Sequence, residues 1–240
     1  MKFFIVMIMH IRNFRINSFR NEAKNVILYK LESSTGEKVN FKPGQFVNLY
    51  LLEDGKPGIF RQFSIASAPS ETQLEFCIKI LPDGKFTSVL EKLQVGTELG
   101  VAGPFGHFTY NEQTDCVFLG AGTGIAPIIS MLRHIKKNDV RGNFTLFYSN
   151  KTEDSIIYYD ELKKLSNEGI NVVFTLTQET SENWKGENGR INPYMISKYV
   201  VNPGKMSWYS CGPLEFVKMI KEHAMTNGVP PDRIKVEGWG

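Results

Sequence analysis

The spacing of apolar residues changes once along this chain, near residue 111, and that change limits what it can fold into. In the first half, short segments rich in β-branched and aromatic residues alternate with turn signals such as Pro43-Gly44. This spacing is typical of an antiparallel barrel or sandwich. In the second half, apolar strands alternate with helical patterns, which predicts βαβ units and a mainly parallel sheet. We therefore expect an N-terminal antiparallel β-barrel over residues 1–111 and a C-terminal parallel-sheet α/β domain over residues 112–240.

The same patterns place individual elements. An apolar run from Cys116 to Leu119 opens the strand–helix alternation of the second half. Thr87 is a suitable cap for the one helix predicted in the barrel half, and Gly96 follows its end. The predicted helices span residues 87–93, 125–135, 154–165, 193–199 and 214–227, and the later strands span 143–148, 171–176 and 207–211.

Composition excludes several classes of protein. With 42% hydrophobic residues in a chain of 240, real cores are possible, and the net charge of +3 is spread along the sequence, so no nucleic acid is expected as a partner. The three cysteines lack paired spacing, which favours a reducing compartment, the cytoplasm, over a disulfide framework. The four histidines are scattered, so no metal site is expected.

An apolar run opens the chain. Within residues 1–9, Lys2 precedes seven apolar residues, too few to span a bilayer. The bulky and basic residues that follow do not resemble a signal-peptide cleavage site. We expect no transmembrane segment, and we interpret the run as an extra strand or as an extension before a start at Met9.

A glycine-rich turn follows the first apolar strand of the second half. Gly120-Ala121-Gly122-Thr123-Gly124 stands between that strand and a helical pattern. Glycines let the backbone approach a ligand closely, and a helix start offers unpaired N–H groups to an anion. The turn indicates a dinucleotide pyrophosphate site; a Gly-rich connection between packed elements is the alternative. The spacing departs from G-x-G-x-x-G, and the next strand ends Tyr148-Ser149-Asn150-Lys151 without an acidic residue.

Two clusters in the barrel half carry further candidates. In Arg61-Gln62-Phe63-Ser64-Ile65-Ala66-Ser67, an extended strand places Arg61 and Phe63 on one face and Ser64 on the other. Gly84-Lys85-Phe86-Thr87-Ser88 is a glycine turn that opens a helix, a suitable place for a phosphate group. Taken alone, the first is an ordinary strand composition and the second an ordinary helix cap.

A fourth cluster lies late in the chain. Ser210-Cys211-Gly212-Pro213 ends a strand and precedes a long helix, on the carboxyl edge where open α/β sheets bind ligands. A cysteine is as often a small buried hydrophobe, but its position at the strand end favours a functional role.

Together and in this order, the four clusters resemble the motifs of the ferredoxin-NADP reductase-like superfamily, which includes cytochrome b5 reductases and the reductase domains of flavohaemoglobins and oxygenases. The resemblance spans nearly the whole chain. It implies a flavin-binding barrel, a nicotinamide-binding α/β domain, FAD as cofactor with FMN possible, and NADH or NADPH as co-substrate.

The resemblance also implies roles for individual residues. Arg61 would neutralise the flavin pyrophosphate, Phe63, in place of the usual tyrosine, would pack against the flavin, and Ser64 would hydrogen-bond near flavin N5. Cys211 would place its sulfur near the nicotinamide ring, so Ser64 and Cys211 are the expected catalytic residues. The expected cofactor-binding residues are Arg61, Gln62, Phe63, Ser64, Ser67, Ile78, Gly84, Lys85, Phe86, Thr87, Gly120, Gly122, Thr123, Gly124, Asn150, Cys211, Gly212, Pro213 and Trp239.

Six residues near the nucleotide end are ambiguous. Trp239 would cover the flavin, or its ring only packs the last strand. Glu237 would influence the ring environment if the C-terminus folds back. Lys151 and Arg190 are each suited to a 2′-phosphate, whereas Thr177-Gln178 occupies a place where NADP-using relatives carry Ser-Arg, which favours NADH.

The implied reaction is hydride transfer from reduced nicotinamide to flavin N5, followed by electron release to an acceptor. Because the chain has no C-x4-C-x2-C segment, we expect an iron-sulfur or haem acceptor protein on another chain. Two alternatives remain: a free-flavin reductase, suggested by Phe63, and a flavin-binding subunit without turnover. The intact cluster from Gly84 to Ser88 argues for a retained flavin.

Overall fold

The structure is a computed structural model that describes residues 10–178 and 182–239. It contains two sheets of six strands, the first antiparallel and the second parallel. This confirms the predicted fold class, an antiparallel β-barrel followed by a parallel-sheet α/β domain. The apolar run over residues 1–9, and our interpretation of it, lie outside the described residues.

The first sheet closes on itself. Its strand order is β4-β3-β6-β1-β2-β5, and a bridge between Ile65 and Phe76 joins the two edge strands. Val47 and Leu49, alternate residues of one strand, are fully buried inside, as the two-residue period of a strand requires. The strands are β1 (Ile11–Ala23), β2 (Val26–Ser33), β3 (Phe46–Glu53), β4 (Lys56–Ser64), β5 (Leu74–Lys79) and β6 (Glu98–Phe105).

One short helix, α1 (Thr87–Leu90), packs against the barrel core. It is shorter than the predicted span of 87–93. The reason is that Lys92 and Leu93 bond to the carbonyls of Val89 and Leu90, three residues back, so the chain continues as tight turns.

The second sheet has the order β10-β9-β8-β7-β11-β12, with every pairing parallel. The chain adds strands outward on one side of β7 and then returns to the other side. The strands are β7 (Asp115–Ala121), β8 (Asn143–Asn150), β9 (Asn171–Leu176), β10 (Glu187–Asn188), β11 (Ser207–Pro213) and β12 (Ile234–Trp239), and the helices are α2 (Ile125–Lys137), α3 (Tyr159–Asn167), α4 (Pro193–Tyr199) and α5 (Leu214–Thr226). In such a sheet, ligands bind beyond the carboxyl ends of the strands where the order reverses, here between β7 and β11.

One helix differs from the sequence prediction by a full turn. The predicted span of 154–165 begins too early, because Tyr158 adopts a left-handed backbone with φ of 58° and α3 starts after it. The N–H of Tyr158 donates to Oε1 of Glu22 at 2.8 Å, a residue of the barrel. The local spacing of apolar residues cannot reveal a hydrogen-bond partner so distant in sequence. Strands β10 and β12 were also not predicted.

The barrel and the parallel sheet share a core. Val26, Leu28 and Cys77 of the barrel belong to the same buried cluster as Ile128 and Ile129 of α2. The two parts therefore pack directly against each other across β2, β5 and α2. The boundary between residues 111 and 112 stays a prediction. No helix within the described ranges is both long enough and apolar enough to span a bilayer.

Candidate functional site

A crevice of about 340 Å³ opens where the strand order of the parallel sheet reverses. Its floor comes from the carboxyl ends of β7, β8 and β11, and one wall comes from the barrel, at the β1–β2 turn and the end of β5. The crevice therefore lies between the two halves of the molecule. Its lining residues are Lys24, Val26, Lys79, Ala121, Gly122, Thr123, Ser149, Asn150, Lys151, Ser155, Ile157, Thr177, Pro213 and Trp239.

The glycine-rich turn forms part of this floor. Gly122 has φ of +54°, a conformation that favours glycine, and it lines the crevice together with Thr123. Gly124 has a different role: a Cβ there would lie 2.2 Å from the carbonyl oxygen of Cys211, so only glycine lets α2 approach β11 this closely. A tight helical turn over Gly122–Gly124 precedes α2, and the N–H of Ile125 already donates to the carbonyls of Gly122 and Thr123, so the N–H groups suited to an anion are those of the glycine turn itself.

Asn150 contributes an unsatisfied donor to the crevice. The residue is 6% exposed, and no acceptor among the described residues meets hydrogen-bond geometry with its Nδ2. The amide lies near enough to the Tyr148 hydroxyl to oppose the rise that burial causes in the pKa of Tyr148. The Tyr148 hydroxyl itself donates to the carbonyl of Gly122 at 3.0 Å and accepts from the N–H of Ile157. A buried amide donor facing a crevice indicates a polar ligand.

Cys211 lies on β11, between β7 and the edge strand β12. It pairs with Gly120 of β7 on one side and with Glu237 of β12 on the other, and it is 1% exposed. Burial, and secondarily the charge of Glu237, raise the pKa of the Cys211 thiol, so the sulfur stays protonated. A neutral buried thiol is suited to shaping an apolar contact and is not a nucleophile.

Glu237 pairs with Cys211, and its carboxyl group has a pKa displaced toward neutral pH. Burial raises the pKa of Glu237 from 4.5 to about 7. Its Oε1 lies 4.0 Å from the position that a Cβ on Gly106 would occupy, so the carboxyl group faces the last turn of the barrel. Sequence alone left open whether the C-terminus folds back, and in the structure it does.

Trp239 ends β12 beside the crevice. Its ring is the third nearest neighbour of a Cβ built on Gly124, at 2.8 Å, and the residue is 42% exposed. The half-exposed ring lies against the glycine turn and lines the crevice, and its role as a flavin cover stays a prediction.

The Arg61 cluster lies on β4, at the edge of the barrel sheet. The pairing of Arg61 with Leu49, Phe63 with Val47 and Ser64 with Phe46 places Arg61 and Phe63 on one face and Ser64 on the other, as predicted. Arg61 is exposed and donates to the carbonyl of Phe60 at 2.8 Å. Gln62 is exposed on the same strand, in register with Asn48, whose Oδ1 is buried without a partner among the described side chains.

The Gly84 cluster packs beside the Arg61 cluster. The rings of Phe63 and Phe86 lie 5.6 Å apart. The Thr87 hydroxyl accepts from the N–H of Leu81 and donates to its carbonyl, so it already has partners. Phe86, which precedes α1, provides no side-chain cap, and Lys85 beside it is exposed. The donors that this turn offers a phosphate are therefore its backbone N–H groups and the Lys85 ammonium group.

A run of neighbours connects the two expected catalytic residues. Ser64 pairs with Phe46, and the Phe46 ring lies 3.0 Å from the Cβ position of Gly106. Gly106 in turn faces Glu237, which pairs with Cys211. Ser64 and Cys211 thus lie at one interface between the barrel and the parallel sheet.

Of the nineteen expected site residues, five line the crevice, namely Gly122, Thr123, Asn150, Pro213 and Trp239, and the others do not. Arg61 lines a separate open groove along β4, with Gly58, Ile59, Phe60 and Gln62, and shares no cavity with Thr123. Ser67 and Ile78 are fully buried. The Ser67 hydroxyl accepts from the N–H of Glu75, and Ile78 packs in the barrel core, so both side chains support the fold.

The structure adds crevice residues that the sequence did not indicate. Lys24 and Lys79 come from the barrel, and Ser155 and Ile157 from the segment that follows β8. Their sequence neighbourhoods are ordinary, and it is the docking of the barrel on the sheet that brings the two lysines to the glycine turn. Within residues 10–178 and 182–239, no group of three or more His, Cys, Asp or Glu side chains is placed to hold a metal ion.

Family models match both halves of the chain. Residues 13–110 match the oxidoreductase FAD-binding domain, and residues 118–222 match the oxidoreductase NAD-binding domain. The first match covers the barrel, and the second begins within β7 and includes the glycine turn and Cys211.

Individual relatives agree with these matches. The chain is 30% identical over 234 residues to the reductase component of propane 2-monooxygenase from Rhodococcus jostii, covering 92% of this chain and 61% of that protein. It is 31% identical over 208 residues to the glycine betaine monooxygenase reductase subunit of Chromohalobacter salexigens, covering 83% and 56%. The chain therefore spans about three fifths of the length of these relatives.

A solved structure shows the same fold. The ferredoxin NADP+ reductase of Neisseria gonorrhoeae, with bound FAD and NADP, superposes with a TM-score of 0.82 at 23% identity, over 95% of this chain and 98% of that one.

Proposed function

We propose that this chain, which belongs to the ferredoxin-NADP reductase-like superfamily, is a flavoprotein reductase that oxidises NADH or NADPH and passes the electrons to an acceptor outside its own residues. The observation that carries the proposal is the crevice between barrel and parallel sheet, whose lining combines the dinucleotide turn with three residues of the FAD-binding half. A site built from both halves suits a reaction between two ligands, one held by each half.

The barrel fits FAD. Arg61 offers an exposed guanidinium group, Lys85 an exposed ammonium group, and the start of α1 carries no side-chain cap. Phe63, half-buried against the ring of Phe86, supplies apolar area beside these polar groups. In this proposal Arg61 and the Gly84 turn hold the phosphates of FAD, and Phe63 and Ser64 lie nearer its ring.

The crevice fits a nicotinamide nucleotide. The N–H groups of the glycine turn and the lysines at positions 24, 79 and 151 suit its phosphates, and the amide of Asn150 suits a polar group of the ligand. When bound, FAD supplies the capacity to take up a hydride and to release electrons singly. The contribution of the chain is to align the two ligands, with Cys211 and Ser64 at their junction, and to exclude water from between them.

The acceptor in this proposal is an iron-sulfur or haem group on another polypeptide or on a part of the protein beyond these residues. Support comes from the relatives, which are reductase components of monooxygenases, and from the absence of a C-x4-C-x2-C segment in this sequence. We further propose NADH as the preferred donor, because Gln178 stands where an arginine would meet a 2′-phosphate.

Residence in the cytoplasm is also part of the proposal. Cys77, Cys116 and Cys211 are all buried and unbridged, which suits a reducing compartment. Fractionation of cells that produce the tagged protein tests this, and recovery in an extracytoplasmic fraction would contradict it.

The experiment that tests the function has two stages. The protein is first purified and its flavin content measured; a yellow protein with about one flavin per chain supports a retained cofactor, whereas a colourless protein active only with added flavin supports the free-flavin reductase. The flavin-loaded protein is then mixed anaerobically with NADH or NADPH. Bleaching of the flavin absorbance supports the reductase, and no bleaching with either nucleotide refutes it.

A further inference from the structure

Arg133 of α2 stands at the centre of an ion-pair network that joins the barrel to the parallel sheet. We call this network, made by Arg133, Glu75, Tyr158 and Glu161, the interdomain clamp. We infer that Arg133 is a positioning residue, which fixes the barrel relative to the nucleotide crevice and so sets the alignment of the two ligands. The expected effect on catalysis rests on the proposed function, whereas the expected effect on the position of the barrel does not.

The guanidinium group reaches both halves of the molecule. Its Nη1 donates to the carbonyl of Ala66 at 2.9 Å and to Oε1 of Glu75 at 2.8 Å, both in the barrel half. Its Nε and Nη2 donate to the two carboxylate oxygens of Glu161 on α3, each at 2.7 Å. The side chain of Arg133 is 16% exposed, that of Glu75 5% and that of Glu161 33%, so solvent screens the Glu75 contact weakly and the Glu161 contact more.

The clamp lies next to both site motifs. Ala66 is two residues beyond Ser64, and Ser130, one turn earlier on α2, donates to the carbonyl of Ser67 at 2.7 Å. The same helix begins directly after the glycine turn, so Ser130 and Arg133 bind the strand that carries the Arg61 cluster within about 12 Å of that turn along the helix axis. Helix α2 therefore follows the glycine turn directly and is hydrogen-bonded to the segment that follows β4.

Tyr158 extends the clamp to the other wall of the crevice. Its hydroxyl donates to Glu75 at 2.9 Å, and the Arg133 guanidinium carbon lies 5.1 Å from its ring centre. Its backbone N–H is held by Glu22 of the barrel, which secures its left-handed conformation. The segment before it, residues 149–157, supplies five of the crevice-lining residues.

Stability alone does not account for this arrangement. Replacing a buried ion-pair network with apolar residues of similar volume is often neutral or stabilising. A bidentate arginine fixes the direction between the groups that it joins, and apolar packing does not. An error of about 1 Å in alignment costs on the order of 100-fold in rate.

The test compares Arg133→Met, Arg133→Lys and Tyr158→Phe with the wild type. The control is Arg15→Met, which removes a more exposed arginine paired with Glu32 within the barrel. Amide hydrogen exchange of residues 65–67 and 149–158 is measured on the flavin-free protein, which needs no turnover. Flavin content, the Kd of the nicotinamide nucleotide and the limiting rate of flavin reduction are measured on the loaded protein.

We expect Arg133→Met to retain flavin and to raise exchange in both segments by about 10-fold or more, while the limiting rate falls by about 10- to 100-fold and Kd changes less. Arg133→Lys keeps the charge but loses the bidentate geometry, so it should recover only part of the rate. Tyr158→Phe should change amide exchange and the rate of flavin reduction in the same directions but by less. If Arg133→Met does not fold, Tyr158→Phe serves as the test of the inference. Arg15→Met should match the wild type.

The inference is overturned if Arg133→Met shows the wild-type rates of amide hydrogen exchange and of flavin reduction. Where Arg133→Met is unfolded, the same result for Tyr158→Phe overturns it. It is also overturned if Arg133→Lys restores full rate and protection, since charge alone would then suffice. A wild type that neither nucleotide reduces removes the proposed function instead, and in that case the exchange measurement alone still decides the clamp.

Discussion

Replacing Glu237 with glutamine should make the stability of the protein less dependent on pH. In the folded protein, burial holds the pKa of Glu237 at about 7 instead of the usual 4.5. The folded state therefore binds a proton that the unfolded state has released between these two values. Stability is fully present below the unfolded pKa and is lost as pH rises through the folded one.

The size of the effect follows from the pKa difference. At 1.36 kcal/mol per pH unit, a pKa raised from 4.5 to about 7 corresponds to about 3 kcal/mol. The carboxyl group is not wholly removed from solvent, so we expect about 1–2 kcal/mol to be observed. Glutamine resembles the protonated acid, so Glu237→Gln should match the wild type near pH 4.5 and exceed its stability by that amount above about pH 8.

Urea unfolding at a series of pH values measures this difference directly. Glu222→Gln, which removes an exposed carboxylate on α5, is the control and should leave the pH profile unchanged. A stability difference between Glu237→Gln and the wild type that stays constant from about pH 5 to 8.5 would refute the burial of this carboxyl group against the Gly106 turn.

Three further substitutions test individual sites. Arg61→Ala should weaken flavin retention by about 1.5–3 kcal/mol, measured by flavin titration, because a charge-assisted phosphate contact is lost; unchanged affinity would remove Arg61 from the flavin site. Cys211→Ala should leave flavin content intact and slow flavin reduction by about 10-fold in stopped flow, whereas loss of flavin would place Cys211 elsewhere. Gly124→Ala should lower the free energy of unfolding by about 1–3 kcal/mol and weaken nucleotide binding, since its Cβ meets the Cys211 carbonyl; a variant with wild-type values of both would contradict this close approach.

Much of the fold was accessible from the sequence because the signals are local. The alternation along β4 placed Arg61 and Phe63 on one face, and the register with β3 agrees. Apolar runs and helical periods located the parallel sheet, and Asn192, which caps α4, and Pro193 mark a helix start that matched the structure.

What the sequence did not predict depends on contacts between the two halves. Lys79 ends an edge strand of the barrel, and nothing near it in sequence indicates that it lines a nucleotide crevice. The late start of α3 has the same origin, because Glu22 of the barrel holds Tyr158 in a left-handed conformation. Two glycines of the dinucleotide turn also have different roles. Gly122 lines the crevice and Gly124 lets α2 approach β11, a difference that their identical residue type does not reveal.

The central claim is that a flavin on the barrel and a nicotinamide on the parallel sheet meet in the crevice between them. A crystal structure of the protein grown with FAD and NAD+ tests it most directly. We expect the flavin phosphates at Arg61 and the Gly84 turn, the dinucleotide phosphates at Gly122 and Thr123, and both rings between Ser64 and Cys211. Flavin and nicotinamide rings bound on separate faces, with the barrel wall between them, would contradict it.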